Sequence, residues 1–313
     1  MATARVNLYF VVRWGQFNSG SAHMRSIDLS RIVAPHLGPT LRAKVIVMPG
    51  AHYPKLQRIW ARSRPRGGLY FMTKSALKMD AEASAELKAR SLGLCFDYVD
   101  HDLGTVDARA ADVHVCSSYA QQEAIIALQQ DGAFPQGPTQ VILHNADSAL
   151  YGLGFDKARA SSAVYCGSAA LTSIPARLGD EVEMLDAKDR TAMNAVRGRL
   201  AEFTLHYCIR KTQEASMVIK PFTKGITAAM CHANVVVSRD VPDAVRLLGE
   251  DYPFMAADNS DGEVKDAFEH VKAAFGEPDW RRGLDAMAGL RAAVSGVALA
   301  GQLRAMAELR GVG

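Results

Sequence analysis

The chain alternates between short apolar runs and longer segments whose apolar residues recur every three or four positions. Val6-Asn7-Leu8-Tyr9-Phe10-Val11-Val12 reads as a buried strand, followed by a small-residue loop, Trp14 to Ser21, and a helix from about His23 to His36. Lys44 to Met48 reads as a second strand closed by Pro49-Gly50. A basic helix over Tyr53 to Arg62 and a third strand, Leu69 to Met72, come next. A helix over about Asp80 to Leu92, strands at Leu94 to Asp100 and Asp112 to Cys116, a helix over Ser118 to Gln130 and a strand at Gln140 to His144 complete a first series. Strands alternating with helices at this spacing predict a parallel, doubly wound sheet.

Asn145 to Ser161 has no clear period and reads as a linker; its Gly152-x-Gly154 lacks the third glycine and the strand-to-helix setting of a dinucleotide fingerprint. A second series follows. It comprises Ala163 to Gly167, a turn at Pro175, a strand-like Glu181 to Leu185, a helix from about Asp189 and the run Phe203 to Ile209. A short strand Ala215 to Ile219, a helix near Thr223, a strand Val235 to Ser238 and further helices complete it. The expected fold class is α/β, with two Rossmann-like doubly wound domains facing a cleft. The expected boundaries are 1–147 for the N-terminal domain, 148–290 for the C-terminal domain, and 291–313 for a helix packing back towards the junction. A chain of 313 residues exceeds what one core usually holds, which agrees.

Composition changes this picture little. The chain is 49% hydrophobic and 22% charged, an ordinary globular balance, and its net charge of +3 is too mild to argue for nucleic acid. Five cysteines form no CxxC pair and read as buried small hydrophobes, which excludes a zinc site or a disulfide frame as the organising principle. Val6 to Val12 is too short for a signal segment, and Ala292 to Leu303 falls well under the ~20 residues of a membrane span. A cytoplasmic protein is expected. Lys55, Arg58, Arg62, Arg64 and Arg66, with Trp60 among them, make either a solvated face or a surface for peripheral contact with anionic lipid at the inner membrane.

The chemistry concentrates at Lys220-Pro221-Phe222-Thr223-Lys224-Gly225. Thr223 can cap a helix whose first amides lack internal partners and point outward with the positive end of the dipole behind them. With Lys220 and Lys224 flanking that opening, the segment is a candidate diphosphate site; the same residues also describe two solvated lysines beside an ordinary helix start.

Lys220-Pro-x-Thr-Lys, then Ala228-Ala229 and a small-residue corner into Val235-Val236-Val237, resembles the donor-binding segment of GT-B glycosyltransferases. Leu248-Gly249-Glu250-Asp251-Tyr252-Pro253-Phe254 is similar to the segment that follows it in bacterial members. Cys116-Ser117-Ser118 with Gln121 is similar to the close of their N-terminal domain, and His206-Tyr207 with Arg210 to the helix ahead of the donor segment. The resemblance implies sugar transfer from a nucleoside-diphosphate-sugar donor to a cell-surface glycan, lipid-linked or protein acceptor. It implies no cofactor beyond the nucleotide sugar, and no nucleic-acid partner. Many retaining members carry a glutamate at each end of the donor segment, whereas here Lys220 holds the first position and none stands near His232. A nucleotide-sugar epimerase of the same fold and a non-catalytic nucleotide-sugar-binding partner protein are the alternative readings.

Under that resemblance Lys220, Thr223, Lys224 and Arg210 are the donor-diphosphate candidates, and Ser19, Gly20 and Ser21 an acceptor or phosphate loop, with Arg25 opening the next helix. Asp100 leads as catalytic base, His23 is the second catalytic candidate, and Asp97, His101, His144 and Asp147 are further options. Asp100-His101-Asp102 also spells an Asp-x-Asp pattern of the kind that holds a divalent metal, but it conflicts with the two-domain reading, and no metal is expected.

Overall fold

The computed structural model describes residues 5–153, 160–187, 189–211 and 219–313. The chain divides into two compact units. The first is built on a six-stranded parallel sheet. β1 (Val6–Arg13) leads into α1 (Gly20–Ala22), a π-helical stretch (His23–Asp28), α2 (Leu29–Val33) and a 3-10 turn (Ala34–His36). The single helix expected over His23 to His36 is thus three kinds of turn; the last contains Pro35, which has no amide to donate. There follow β2 (Leu41–Met48), α3 (Pro54–Arg62), β3 (Leu69–Thr73), α4 (Ala81–Arg90), β4 (Gly93–Asp97), β5 (Val113–Cys116), α5 (Tyr119–Gln130) and β6 (Thr139–Val141).

The strand order is β2-β1-β3-β4-β5-β6, with every pair parallel. Strands covered on both faces read as continuous apolar runs. Accordingly Leu8, Phe10, Leu69, Tyr70 and Phe71 are fully buried, and the Tyr9 and Tyr70 rings stack at 4.9 Å between centroids. At the start of α5, Ser118 Oγ accepts from the Gln121 amide at 3.1 Å, and Gln121 Oε1 accepts from the Ser117 amide at 2.8 Å. Cys116-Ser117-Ser118…Gln121 is therefore a reciprocal cap, with all its polar atoms buried.

The second unit contains β7 (Ala163–Gly167), β8 (Val182–Asp186), α6 (Arg190–Val196), β9 (Leu205–Tyr207), α7 (Thr223–Met230), β10 (Asn234–Ser238), α8 (Pro242–Leu248), β11 (Met255–Ala256), α9 (Asp261–Ala273) and α10 (Pro278–Ala293). Its sheet runs β11-β10-β9-β7-β8, again parallel. His206 and Tyr207 lie in β9, not in a helix, because Leu205 to Ile209 is a continuous buried run. The expected strand over Ala215 to Ile219 lies, but for Ile219, outside the described residues, as do Gly154 and most of the second half of the expected linker.

The chain then returns. α11 (Gly296–Glu308) belongs to the first unit, as do residues 219–221. Leu299, Ala300, Leu303 and Met306 of α11 are fully buried, the Gln302 carboxamide accepts from the Leu143 amide at 2.8 Å, and Arg304 donates to the His36 carbonyl at 2.7 Å. Among the described residues no single helix is long and apolar enough to cross a membrane.

Candidate functional site

In doubly wound sheets ligands bind beyond the carboxyl ends of the strands, where the strand order reverses. The second sheet reverses between β7 and β9. There β7 ends on Gly167, whose φ of +145° disfavours any side chain and whose missing Cβ leaves room that the Lys224 ammonium occupies. Lys224 Nζ donates to the Cys166 carbonyl at 2.5 Å and lies 4.2 Å from the centre of the Tyr165 ring. Tyr165 in turn donates to the Ser168 carbonyl at 2.9 Å.

Burial holds the Lys224 pKa below that of a free lysine; the neighbouring Cys208 and Cys166 thiols oppose the shift, and the Arg210 guanidinium adds to it. Among the described residues, no carboxylate acts on this ammonium. Arg210 follows β9 and is half-buried, near enough to lower the Tyr165 hydroxyl against the burial that pushes it up to about 12. Two cations thus meet at one switch point, beside the N-terminus of α7.

Thr223 does not cap that helix. Phe222 occupies the cap position with no side-chain bond, and Thr223 is the first helical residue, its carbonyl accepting from Thr227 Oγ1 at 3.0 Å. The first amides of α7 are therefore without a side-chain cap. Lys220 is half-buried and is counted with the first unit, whereas Arg210, Thr223 and Lys224 belong to the second.

The first sheet reverses between β1 and β3, and a second cluster stands at that point. Asp100 Oδ2 accepts from Ser21 Oγ at 2.5 Å and faces Lys74 Nζ at 3.0 Å. Lys74 and Asp100 both have left-handed backbones, φ +53° and +54°, a conformation that strains a lysine and that aspartate tolerates better. Their side chains are about a quarter exposed, at 27% and 26%. Burial raises the Asp100 pKa, but Lys74 and Ser21 outweigh it and leave the carboxyl below the usual aspartate value. Lys74 belongs to no sequence motif; the signal for it is its place just after the apolar strand run Leu69–Met72.

Ser21 is thus drawn to Asp100, while Ser19 stands at the cap position of α1 without a side-chain bond, and a Cβ at Gly20 would meet open space. His23 has partners of its own. It is buried, its Nδ1 bonded to the Phe17 carbonyl at 2.9 Å and its Nε2 3.4 Å from Asp28, so its ring holds the loop's own shape. Arg25 is likewise turned inward, onto Asp97. Asp102 accepts from the Gly104 amide at 2.9 Å, so the two carboxylates of the Asp-x-Asp pattern are used separately, one in a turn and one on Lys74. Among the described residues no three metal-ligating side chains cluster.

His101 Nε2 meets the Lys74 carbonyl at 3.0 Å, and burial lowers its pKa. His144 is buried at 2% exposure with Nδ1 on the Asn145 carbonyl at 2.7 Å; burial first, then Arg25, push its imidazole down to about 4. The unfolded chain takes up this proton near 6.5, the folded chain only near 4. Stability is therefore full above pH 6.5 and falls on acidification towards pH 4, by up to about 3 kcal/mol from this group. Urea unfolding across that window should show a flatter pH dependence in His144→Asn than in the parent; an unchanged slope would refute the assignment.

Two parallel, doubly wound sheets of this kind make up the GT-B fold, and the chain has it. The sequence matches no protein-family model and no curated protein sequence. Solved structures are similar over nearly its whole length. A glycosyltransferase from Rickettsia africae ESF-5 superposes with a TM-score of 0.62 at 10% identity, covering 99% of each chain. HepE of Anabaena, solved in complex with UDP-glucose, gives 0.59 at 14% identity over 97% of this chain and 100% of its own. The trehalose-6-phosphate protein of E. coli, bound with UDP-2-fluoro glucose, gives 0.57 at 6% identity over 98% and 99%. At these identities the likeness is one of fold.

Proposed function

We propose that the protein transfers a sugar from a nucleoside-diphosphate sugar to a hydroxyl of a glycan, lipid-linked or protein acceptor. The observation that carries this reading is the half-buried Lys224 ammonium at the β7–β9 switch point, with Arg210 close by and, among the described residues, no carboxylate acting on it. A cation held in that state is poised for an anion from outside. Support comes also from the fold, which HepE and the E. coli protein use around UDP-glucose and UDP-2-fluoro glucose.

The second unit is assigned the donor. Lys224 would shift its bond from the Cys166 carbonyl to a phosphate oxygen, Arg210 would take a second oxygen, and the uncapped amides of α7 would face the same group. Charge growing on the departing nucleoside diphosphate is then met by donors already in place. The first unit is assigned the acceptor proton. Asp100, held ionised by Lys74 and Ser21, is a carboxylate base of low pKa, so the barrier is lowered mainly at the leaving group.

A thermal-shift panel of nucleoside diphosphates and their sugars tests the reading. One nucleotide should raise the melting temperature, and Lys224→Met should weaken its binding about 10- to 100-fold, the loss of one charge-assisted hydrogen bond. Because burial already lowers the Lys224 pKa, binding should also fade at a pH below that at which free lysines deprotonate. A panel with no shift, or a Lys224→Met protein that binds as the parent does, would dispose of the site.

A further inference from the structure

The cations of this chain are unevenly spread. Of its 36 lysines and arginines, thirteen fall in residues 1–79, where Asp28 is the single carboxylate; the remaining residues carry 23 cations against 32 carboxylates. The mild net charge of +3 therefore hides a strongly basic first quarter followed by an acidic remainder.

Within the first unit this basic stretch also presents apolar side chains outward. β2 is an edge strand of its sheet, and it exposes Val45 and Val47 at 40% and 44%. α3 buries Gln57, Trp60 and Ala61 but exposes Leu56 and Ile59 at 46% and 63%. Just before α3 lies Tyr53, its ring 6.4 Å from that of Trp14, which is 62% exposed. The three pieces are tied together. The Trp14 amide donates to the Met48 carbonyl at the end of β2, and Gln57 donates from α3 to the Pro49 carbonyl.

Lys55 and Arg62 flank Ile59 at helical spacing, whereas Arg42 and Lys44, at the alternate positions of β2, lie on the sheet face opposite Val45 and Val47. Arg58 is neutralised by Asp80 and Glu82, and Arg62 faces Glu86 at 3.7 Å. Arg42, Lys44, Lys55 and Arg66 have no carboxylate partner among the described residues. Exposed aliphatic and aromatic tips with the unneutralised Lys55 among them and Arg66 just beyond the same helix suit one surface above others, the anionic face of a lipid bilayer. There Trp and Tyr rings sit at the headgroup level, and long cationic side chains extend to phosphate. A second copy of this chain fits poorly, because a two-fold contact would set these cations against themselves. A nucleic acid would leave the Leu56–Ile59 and Val45–Val47 surface without a partner.

We propose that the face formed by α3, the exposed edge of β2 and the Trp14–Tyr53 pair docks the first unit peripherally on anionic lipid. This goes beyond sugar transfer and stands or falls without it. The Trp14 loop continues into Ser19-Gly20-Ser21, so docking would hold the Asp100 cluster near the headgroups, where a lipid-linked hydroxyl is presented.

Vesicles of phosphatidylcholine alone, and of equal parts phosphatidylcholine and phosphatidylglycerol, provide the test with the full chain. Co-sedimentation is expected with the anionic vesicles only, and high salt should abolish it. Trp60 and Trp280 are buried at 8% and 7%, so a blue shift of tryptophan emission on binding should come from Trp14 and vanish in Trp14→Phe. Lys55→Ala should lower the partition coefficient about fivefold. The double variant Leu56→Ser/Ile59→Ser should lower it at least about tenfold. Ile126→Ser, which removes an exposed apolar residue from α5 at 38% exposure, should leave it unchanged. Equal binding to neutral vesicles, an unaltered double variant, or an equal loss in Ile126→Ser would overturn the proposal. So would a concentration-dependent dimer that disappears in Ile59→Ser while vesicle binding is nil.

Discussion

Arg25→Met is expected to destabilise the first unit by about 3–5 kcal/mol, read as a lower urea midpoint for its unfolding. Arg25 and Asp97 are both fully buried. The guanidinium meets the carboxylate at 2.9 Å through Nε and 3.4 Å through Nη2, and its Nη1 donates to the Leu143 carbonyl at 2.9 Å. It thereby joins the turn after β1, the end of β4 and the chain beyond β6. Methionine fills much of the space but leaves Asp97, among the described residues, with Thr73 Oγ1 at 3.3 Å as its side-chain donor. The loss would arise from a stranded buried charge, not from a cavity. The double variant Arg25→Met/Asp97→Leu should accordingly recover a large part of the stability. A double variant no better than the single one would show that packing around the guanidinium is what matters.

Asp100→Asn is expected to lower kcat for sugar transfer by at least about 100-fold while leaving donor binding intact. Asparagine suits this test because it accepts the left-handed backbone found at φ +54°, whereas alanine would add strain to the loss of charge. The variant keeps a side-chain oxygen for Ser21 but can neither neutralise Lys74 nor take a proton. In the parent protein the acid limb of the pH profile for that transfer should lie below the range of a free aspartate, since Lys74 and Ser21 hold the carboxyl down. The stabilisation that Lys74 draws from the pair is likewise present above that range and lost as the pH falls through the lowered value. Full turnover in Asp100→Asn would remove the carboxylate from the mechanism.

The strands were legible wherever burial on both faces made an unbroken apolar run, as at Val6 to Val12, Ala163 to Gly167 and Val235 to Ser238. Helices with a polar outer face, such as α3 and α5, came within a residue of their ends. What periodicity could not show was backbone that departs from standard turns. His23 to Asp28 widens into a π-helix with four of its six residues buried, so His23 and Arg25, polar residues beside a glycine-rich loop, face inward. At α7 a threonine in a plausible capping place proved to be the first helical residue, because Phe222, 3% exposed, takes the cap position itself. Of the candidate anion site, Lys224 and Arg210 were readable from strand ends; the Cys166 carbonyl and the Tyr165 face that hold the ammonium were not. Asp100 was readable for the same reason, but its partner Lys74 lies 26 residues earlier, and the pairing follows from β3 and β4 being neighbours in the sheet.

One consequence follows from the route of the chain. Leu299, Leu303 and Met306 of α11 fill the core of the first unit, yet they are translated after the entire second unit. During vectorial synthesis the six-stranded sheet therefore waits with an open apolar flank while the other unit emerges. Nascent chains arrested before Gly296 should be more protease-sensitive across β6 and α2 than released ones, and a chaperone that shields apolar surface should engage them there.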